Sequence, residues 1–384
     1  MRKTSAFFPA AAACLALGIG GVLLNAGSSR ASTTTPGEFA ANWYASAPYY
    51  DVQDPTPPDF TSLLAATGEK VVDLASVQGI KKQRQCELSW DGVHPYPSPY
   101  FPEAAALDIA QQQIAAAGGD IAVSFGSTGD TSLGAVCSSP ATTAAMDLDA
   151  IEGVGASAVD LDLSAAELRD PTAVANDIGA ASILQQNYPD LYFTLTLPGG
   201  PTGLSSDGTA ALAVVTQDGL HPENISIRTG GPGFTGPAAQ TTALRDFNAQ
   251  LTDAFAGAGW TSAIAYAHEG LVATAGRADG GALTPAGFAT VAAFARTVGM
   301  TRLTFWSVDR DQQCTAADTD HGRTGDCSGV AQTLYAFSTL AAEFAASTPV
   351  VPMPSQPDPH PSPSSTHTPQ PTDCGNPHPS SSSS

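Results

Sequence analysis

Two alternating acids make the densest chemical signal in this 384-residue chain: Val159-Asp160-Leu161-Asp162-Leu163-Ser164. A strand repeats every two residues, so Asp160, Asp162 and Ser164 share one face. Carboxylates gathered on an enclosed face are expensive unless they are paired or used, and acids at a strand end are what general acid–base chemistry requires. The second signal is Phe305-Trp306-Ser307-Val308-Asp309-Arg310-Asp311, where an apolar run ends on a large ring beside fixed charge. Such a ring can stack on the C–H face of a sugar. A third run, Asp147-Leu148-Asp149-Ala150-Ile151-Glu152, looks alike but has another period. Leu148, Ile151 and Val154 fall three apart, which predicts a helix with its acids toward water.

These groups need elements to position them. Short apolar runs predict strands at 43–49, 70–77, 120–125, 158–164, 191–197, 224–229, 262–267 and 302–306. Longer Ala-rich segments predict helices between them, among them 102–117, 170–186, 238–258 and 284–298. Thr284-Pro285 opens the last as an N-cap followed by proline at the first helical position. Eight strand–helix units point to an α/β chain folded as a (β/α)8 TIM barrel. A doubly wound sheet would show an early Gly-rich phosphate loop, and the chain has none. In a barrel, the Asp160 and Asp162 face is the interior and runs toward the C-terminal mouth. Both then read as site residues, with Trp306 as a stacking floor.

Composition narrows the partners. Fifteen Lys+Arg stand against 36 Asp+Glu, a formal charge of -21, which excludes a nucleic-acid binder relying on phosphate neutralisation. Hydrophobic residues are 42%, enough for a core, while charged residues are only 13%. Residues 1–30 read as a secretory signal peptide, with Arg2 and Lys3 before an apolar run ending at Leu24. A retained membrane anchor, or lipoprotein processing at Cys14, fits that run less well. Residues 348–384 form a Pro/Ser-rich tail in which His360, His367 and His378 are solvated rather than metal ligands. The expected product is one barrel over 38–346, secreted and extracellular, without stable membrane insertion, cofactor or metal.

Cys86, Cys137, Cys314, Cys327 and Cys374 remain once Cys14 leaves with the signal, and none forms a C-x-x-C pair. Cys314 and Cys327 flank a short polar loop whose closure is worth roughly 3 kcal/mol in unfolded-chain entropy. Cys86 and Cys137 then pair across the fold. Cys374 is left in the tail, available for an intermolecular link in an otherwise monomeric protein.

From about Ala47 to Phe344 the chain resembles the family 18 glycoside hydrolases, specifically secreted chitinases of the actinobacterial type. The likeness is carried by Pro48-Tyr49-Tyr50-Asp51-Val52, Gly118-Gly119-Asp120-Ile121-Ala122-Val123-Ser124-Phe125-Gly126, Thr194-Leu195-Thr196-Leu197-Pro198, the segment from Phe305 to Asp311 and the four paired cysteines. The resemblance implies the TIM barrel and a chitin-type or N-acetylglucosamine-containing glycan as partner. It also implies an Asp-x-x-Asp-x-Asp-x-Glu run ending strand four. Here Asp160 and Asp162 match the middle acids, but Ser157 holds the first position and Ser164 the place of the acid Glu. A serine cannot protonate a glycosidic oxygen near neutral pH. The Asp and Tyr that the family carries on strand six, where they hold the acetamido group, also lack counterparts in Arg228-Thr229-Gly230-Gly231-Pro232.

The sequence therefore reads as a catalytically disabled barrel that binds glycan through Trp306, Asp162 and Asp160. Two alternatives stay open. One is an active endo-type glycosidase on chitin-like polysaccharide with a relocated acid, Glu269 at the strand-seven end or Glu167 beyond Ser164. The other is an interaction scaffold that binds no sugar.

Overall fold

The computed structural model describes residues 44–348 apart from 55–56, 81–84, 99–103, 127–130, 280 and 318–324. The expected signal segment, most of the tail and Cys374 lie outside the described residues. Eight parallel strands, β1 (Tyr49–Asp51), β2 (Val71–Ile80), β3 (Asp120–Phe125), β4 (Ala158–Asp162), β5 (Tyr192–Gly200), β6 (Asn224–Thr229), β7 (Glu269–Thr274) and β8 (Arg302–Trp306), pair each with the next. The two ends of the sheet meet where Leu303 N donates to Ala45 O at 2.8 Å and Thr304 Oγ1 to Ala47 O at 2.9 Å. Helices surround this ring. It is a (β/α)8 TIM barrel.

Strand alternation divides the side chains into two populations. Outward residues such as Val159, Leu161, Phe193, Leu195, Ile225, Ile227, Leu303 and Phe305 join one hydrophobic core with the helices. Inward residues are mostly polar: Asp73, Ser124, Asp160, Thr194, Thr196, Ser226, Arg302 and Thr304 are all buried. TIM barrels usually fill this space with branched aliphatics; here a charged cluster does so. Arg302 is 1% exposed. Its Nη1 lies 3.7 Å from Asp160 Oδ1 and its Nη2 3.6 Å from Asp73 Oδ2. The guanidinium also sits over the Tyr44 and Tyr49 rings, at 5.0 and 5.9 Å from their centroids.

Helix starts follow the sequence. Thr284 accepts from Gly287 N at 3.1 Å ahead of the helix Pro285–Val298, and Asp170 caps Pro171–Asn187 through Thr172 N and Ala173 N. Both expected disulfides are formed, Cys86 with Cys137 and Cys314 with Cys327.

Three expectations are corrected. Residues 262–267 are not strand seven but lie in a short helix, Ser262–His268, because Thr261 caps it through Ile264 N and its alanines suit a helix. The strand is Glu269–Thr274, so Glu269 opens it at the bottom of the barrel. The first strand is Tyr49–Asp51 rather than 43–49, residues 44–47 being buried beside it. The helix expected around Asp147 exists as Pro140–Val154, but only Asp149 and Glu152 face water. Asp147 is buried, since the packed stripe runs through Thr143, Asp147, Ala150, Ile151 and Val154.

Acids also seal the barrel bottom. Glu69, Asp120, Glu223 and Glu269 stand at or just before the starts of β2, β3, β6 and β7. Glu69 accepts from Ser46 Oγ at 2.7 Å and Glu223 from Phe193 N at 2.7 Å, while Asn248 Nδ2 donates to Glu269 Oε2 at 3.1 Å. Burial pushes the Glu69 carboxyl up to about 8 and that of Glu223 to about 7, and it raises Asp120 and Glu269 as well.

The sign of the pH dependence follows. A carboxyl raised in the folded state keeps its proton where the unfolded chain has lost it, so its stabilisation is complete below the unfolded value and vanishes as pH rises through the folded one. Melting temperature should fall between pH 5 and pH 8.5 by more than about 5 °C, and Glu69→Gln should flatten that slope; a curve rising over this range would contradict the arrangement. Arg302→Met should cost roughly 3–5 kcal/mol in urea unfolding, because it strands two buried carboxyls without their cation.

Candidate functional site

A cavity of about 1280 Å³ opens at the C-terminal end of the barrel. Strand ends build it: Tyr49 and Asp51 from β1, Asp162 from β4, Pro198 and Gly199 from β5, Arg228 from β6, Thr274 from β7 and Trp306 from β8. Gly230 and Gly231 follow β6 along the wall. A hairpin after β7, Gly276–Ala278 paired antiparallel with Gly281–Leu283, contributes Arg277, Ala278, Asp279, Gly281 and Ala282. Tyr49 and Trp306 pack as a tilted aromatic pair, centroids 5.9 Å apart at 44°.

The two strand-four acids fall on different levels. Asp160 is fully buried below the cavity and does not line it, contrary to its expected role as a ligand contact. Tyr49 Oη donates to its Oδ2 at 2.5 Å, and Thr194 and Thr196 hydroxyls donate to Oδ1 at 2.7 Å each. With Ser124 Oγ at 3.4 Å and Arg302 close by, Asp160 is a satisfied anchor. Asp162, one pleat higher, does line the cavity. Arg228 Nη1 binds its Oδ2, while Oδ1 is buried without a hydrogen-bond partner. Burial pushes the Asp162 carboxyl up to about 7, against the pull of Arg228 and with the push of Asp160.

Ser164 lies past the end of β4, which stops at Asp162. Its Oγ accepts from Glu167 N at 3.0 Å, tying off the turn that follows. The shared face predicted for all three residues therefore holds only for Asp160 and Asp162. Neither glutamate considered as a substitute acid reaches the cavity lining. Glu269 is at the opposite end of its strand. Glu167 is buried in the turn after β4, where it contacts Asp177. Asp177 accepts from Ser132 Oγ and Gly134 N at 2.9 and 2.7 Å, and burial together with that neighbouring acid raises Glu167 well above the ordinary carboxyl range.

The Asp309-Arg310-Asp311 run divides its duties. Asp309 Oδ2 accepts from Asp51 N at 3.0 Å, and Asp311 caps the helix Ala336–Ser347 through Phe337 N and Ser338 N. Only Arg310 lines the cavity. Sequence reasoning missed Arg228 as a site group, although Asn224, Ser226 and Arg228 show the same two-residue alternation as Asp160 and Asp162. It also missed the hairpin, whose short strands leave no readable period. Among the described residues there is no His/Cys/Asp/Glu group of metal-binding arrangement.

No protein-family model matches the chain, and no curated protein sequence does. Solved structures do. Active domain 2 of the thermostable chitinase from Pyrococcus furiosus, solved as catalytic-site mutants with chito-oligosaccharides, is 20% identical at a TM-score of 0.66, with 78% of this chain and 93% of that one covered. The catalytic domain of the hyperthermophilic chitinase from the same organism gives 20% identity and a TM-score of 0.65, again covering 78% and 93%. A family GH18 chitinase from Chromobacterium violaceum is 14% identical at a TM-score of 0.50, covering 79% of this chain and 83% of its own. The chain thus has the barrel fold of the chitinase catalytic domains.

Proposed function

We propose that this protein is an extracellular, chitinase-like barrel that holds a chitin-type, N-acetylglucosamine-containing glycan at its C-terminal mouth and does not cleave it. The observation that carries the reading is the Tyr49–Trp306 ring pair beside Asp162 and Arg228 in an open cavity of saccharide size. Trp306, partly exposed and braced by the buried Tyr49 ring, supplies a flat apolar face for sugar C–H groups, and the polar Asp162–Arg228 pair lines the same cavity. The fold shared with chitinase catalytic domains supports the same ligand class. No helix among the described residues is long and apolar enough to cross a membrane.

Inactivity rests on the position of the acids. Ser164 is 2% exposed and its hydroxyl is committed to the turn. The carboxyls lining the cavity are Asp51, Asp162 and Asp279. Asp162 is the one whose raised value suits proton transfer near neutrality, but Arg228 occupies one of its oxygens. Steady turnover would therefore assign the acid to Asp162 rather than to Glu167 or Glu269. An apolar plug in the mouth would have favoured the scaffold alternative; the lining is instead largely polar.

Wild-type protein should bind N-acetylchitotetraose by calorimetry and release no reducing ends from it. Trp306→Ala should weaken binding about tenfold, or 1.4 kcal/mol. Steady release of reducing ends, abolished in Asp162→Asn, would establish the hydrolase instead. Ser164→Glu should gain no turnover, since its site lies outside the cavity.

Affinity should also change with pH as Asp162 titrates near 7. Arg228→Met removes the cation that favours the carboxylate, so the midpoint of that profile should move to higher pH. An unmoved midpoint would mean that another group controls it.

A further inference from the structure

One wall of the mouth is not a barrel strand. The hairpin Gly276–Ala278 and Gly281–Leu283 has three residues in each arm, too few to hold a position in water by itself. On one side Gly281 packs against Phe234 and Thr235. The other side is held through hydrogen bonds from a single neighbourhood. Arg277 N donates to Ser328 O at 2.7 Å and Arg277 Nε to Gly329 O at 3.0 Å. Arg310 Nε donates to Ala275 O at 3.1 Å and its Nη2 to Arg277 O at 2.6 Å. At Gly276, with φ +76°, any β-carbon would fall inside the Ser328 carbonyl.

Ser328 and Gly329 are fixed in turn. Ser328 N donates to Gln312 O at 2.9 Å, and Gly329 N to Cys314 Sγ at 3.1 Å. The preceding residue, Cys327, is bonded to Cys314. The bridge therefore joins the 310–314 segment to the 327–329 segment, and these two segments supply the bonds that hold the hairpin from this side. The other bridge, Cys86–Cys137, links the strand Gln85–Ser89 to the end of the helix Leu133–Val136 and has no part in these contacts.

We infer that the Cys314–Cys327 disulfide positions the hairpin wall, which places the affinity of the mouth under thiol–disulfide control. The affinity part rests on the glycan reading above; the positioning part does not. Cys314 is partly exposed whereas Cys327 is 3% exposed, so an external thiolate attacks Cys314 Sγ and Cys327 leaves as a thiolate that takes a proton. A second thiol then displaces Cys314 from the mixed disulfide. Two protein thiols and one disulfide of the reductant result.

The test is hydrogen exchange of the full chain, followed by mass spectrometry, for wild type, Cys314→Ser/Cys327→Ser and Cys86→Ser/Cys137→Ser. Hairpin amides should exchange at least about tenfold faster in the first variant only, while peptides covering Ala158–Asp162 keep their protection. Gly276→Ala provides a second route: it leaves the bridge intact, displaces Ser328 and should loosen the same amides. Unchanged hairpin exchange in either folded variant overturns the positioning claim. N-acetylchitotetraose affinity, measured with and without dithiothreitol, should fall about tenfold on reduction of wild type and stay level in Cys314→Ser/Cys327→Ser. A loosened hairpin with unaltered affinity defeats the control claim alone. A wild type that binds no oligomer, yet shows the exchange pattern, defeats the glycan reading and leaves the positioning intact.

Discussion

A guanidinium with almost no access to water, held between two carboxyls inside a ring of eight strands, sets the terms for the rest of this molecule. Stripping a charge of water costs several kcal/mol even after relaxation, so Arg302 is tolerable only where Asp73, Asp160 and the hydroxyls of Thr196 and Ser226 meet it. Those partners come from β2, β4, β5 and β6. Each strand must therefore arrive in one register. A slip of a single residue would turn Asp160 into the helix layer and bring Val159 inward, breaking the ion cluster and the outer apolar core together. A polar interior of this kind gives specificity through the cost of every alternative.

The mouth inherits its geometry from that cluster. Tyr49 donates its hydroxyl to Asp160 and presents its ring to Trp306, so the buried anchor and the aromatic wall share a side chain. One pleat above, Asp162 repeats the arrangement with Arg228, where it meets the cavity. The lower pair closes its charges inside the protein. The upper pair lines the cavity. The difference between scaffold and site is thus two residues along one strand.

Much of this architecture is legible in the amino-acid sequence. Most of the apolar runs, the two-residue alternation of Asp160 and Asp162, Trp306 at a strand end and the Cys314–Cys327 pair follow from local pattern, and Cys86–Cys137 follows as the pair that remains. Where local pattern misleads, a non-local contact decides the outcome. Residues 262–267 form an apolar run like a strand, but the sheet takes the next segment, whose Glu269 and Gly270 look unsuited until Asn248 donates to one oxygen of the acid. Asp147 lies within its helix's packed stripe beside Ile151 and Val154, so the spacing of Leu148, Ile151 and Val154 locates the buried face but understates its width. Ser164 obeys the alternation in sequence, yet β4 ends before it. The hairpin depends on carbonyls more than 40 residues away, which no window along the chain contains.

The buried acids also change what the charge count means. The formal value of -21 takes every carboxyl as ionised. Glu69 and Asp309 are pushed up to about 8, and Asp73, Asp147, Glu167 and Glu269 are raised by burial as well. At neutral pH the folded molecule accordingly carries fewer negative charges than its formula states, Glu69 and Asp309 keeping most of their protons. Unfolding hands these protons to the solvent, so the open chain repels itself more strongly than the native one. In a weakly buffered solution, each molecule that opened would acidify its surroundings and so favour the folded state of its neighbours.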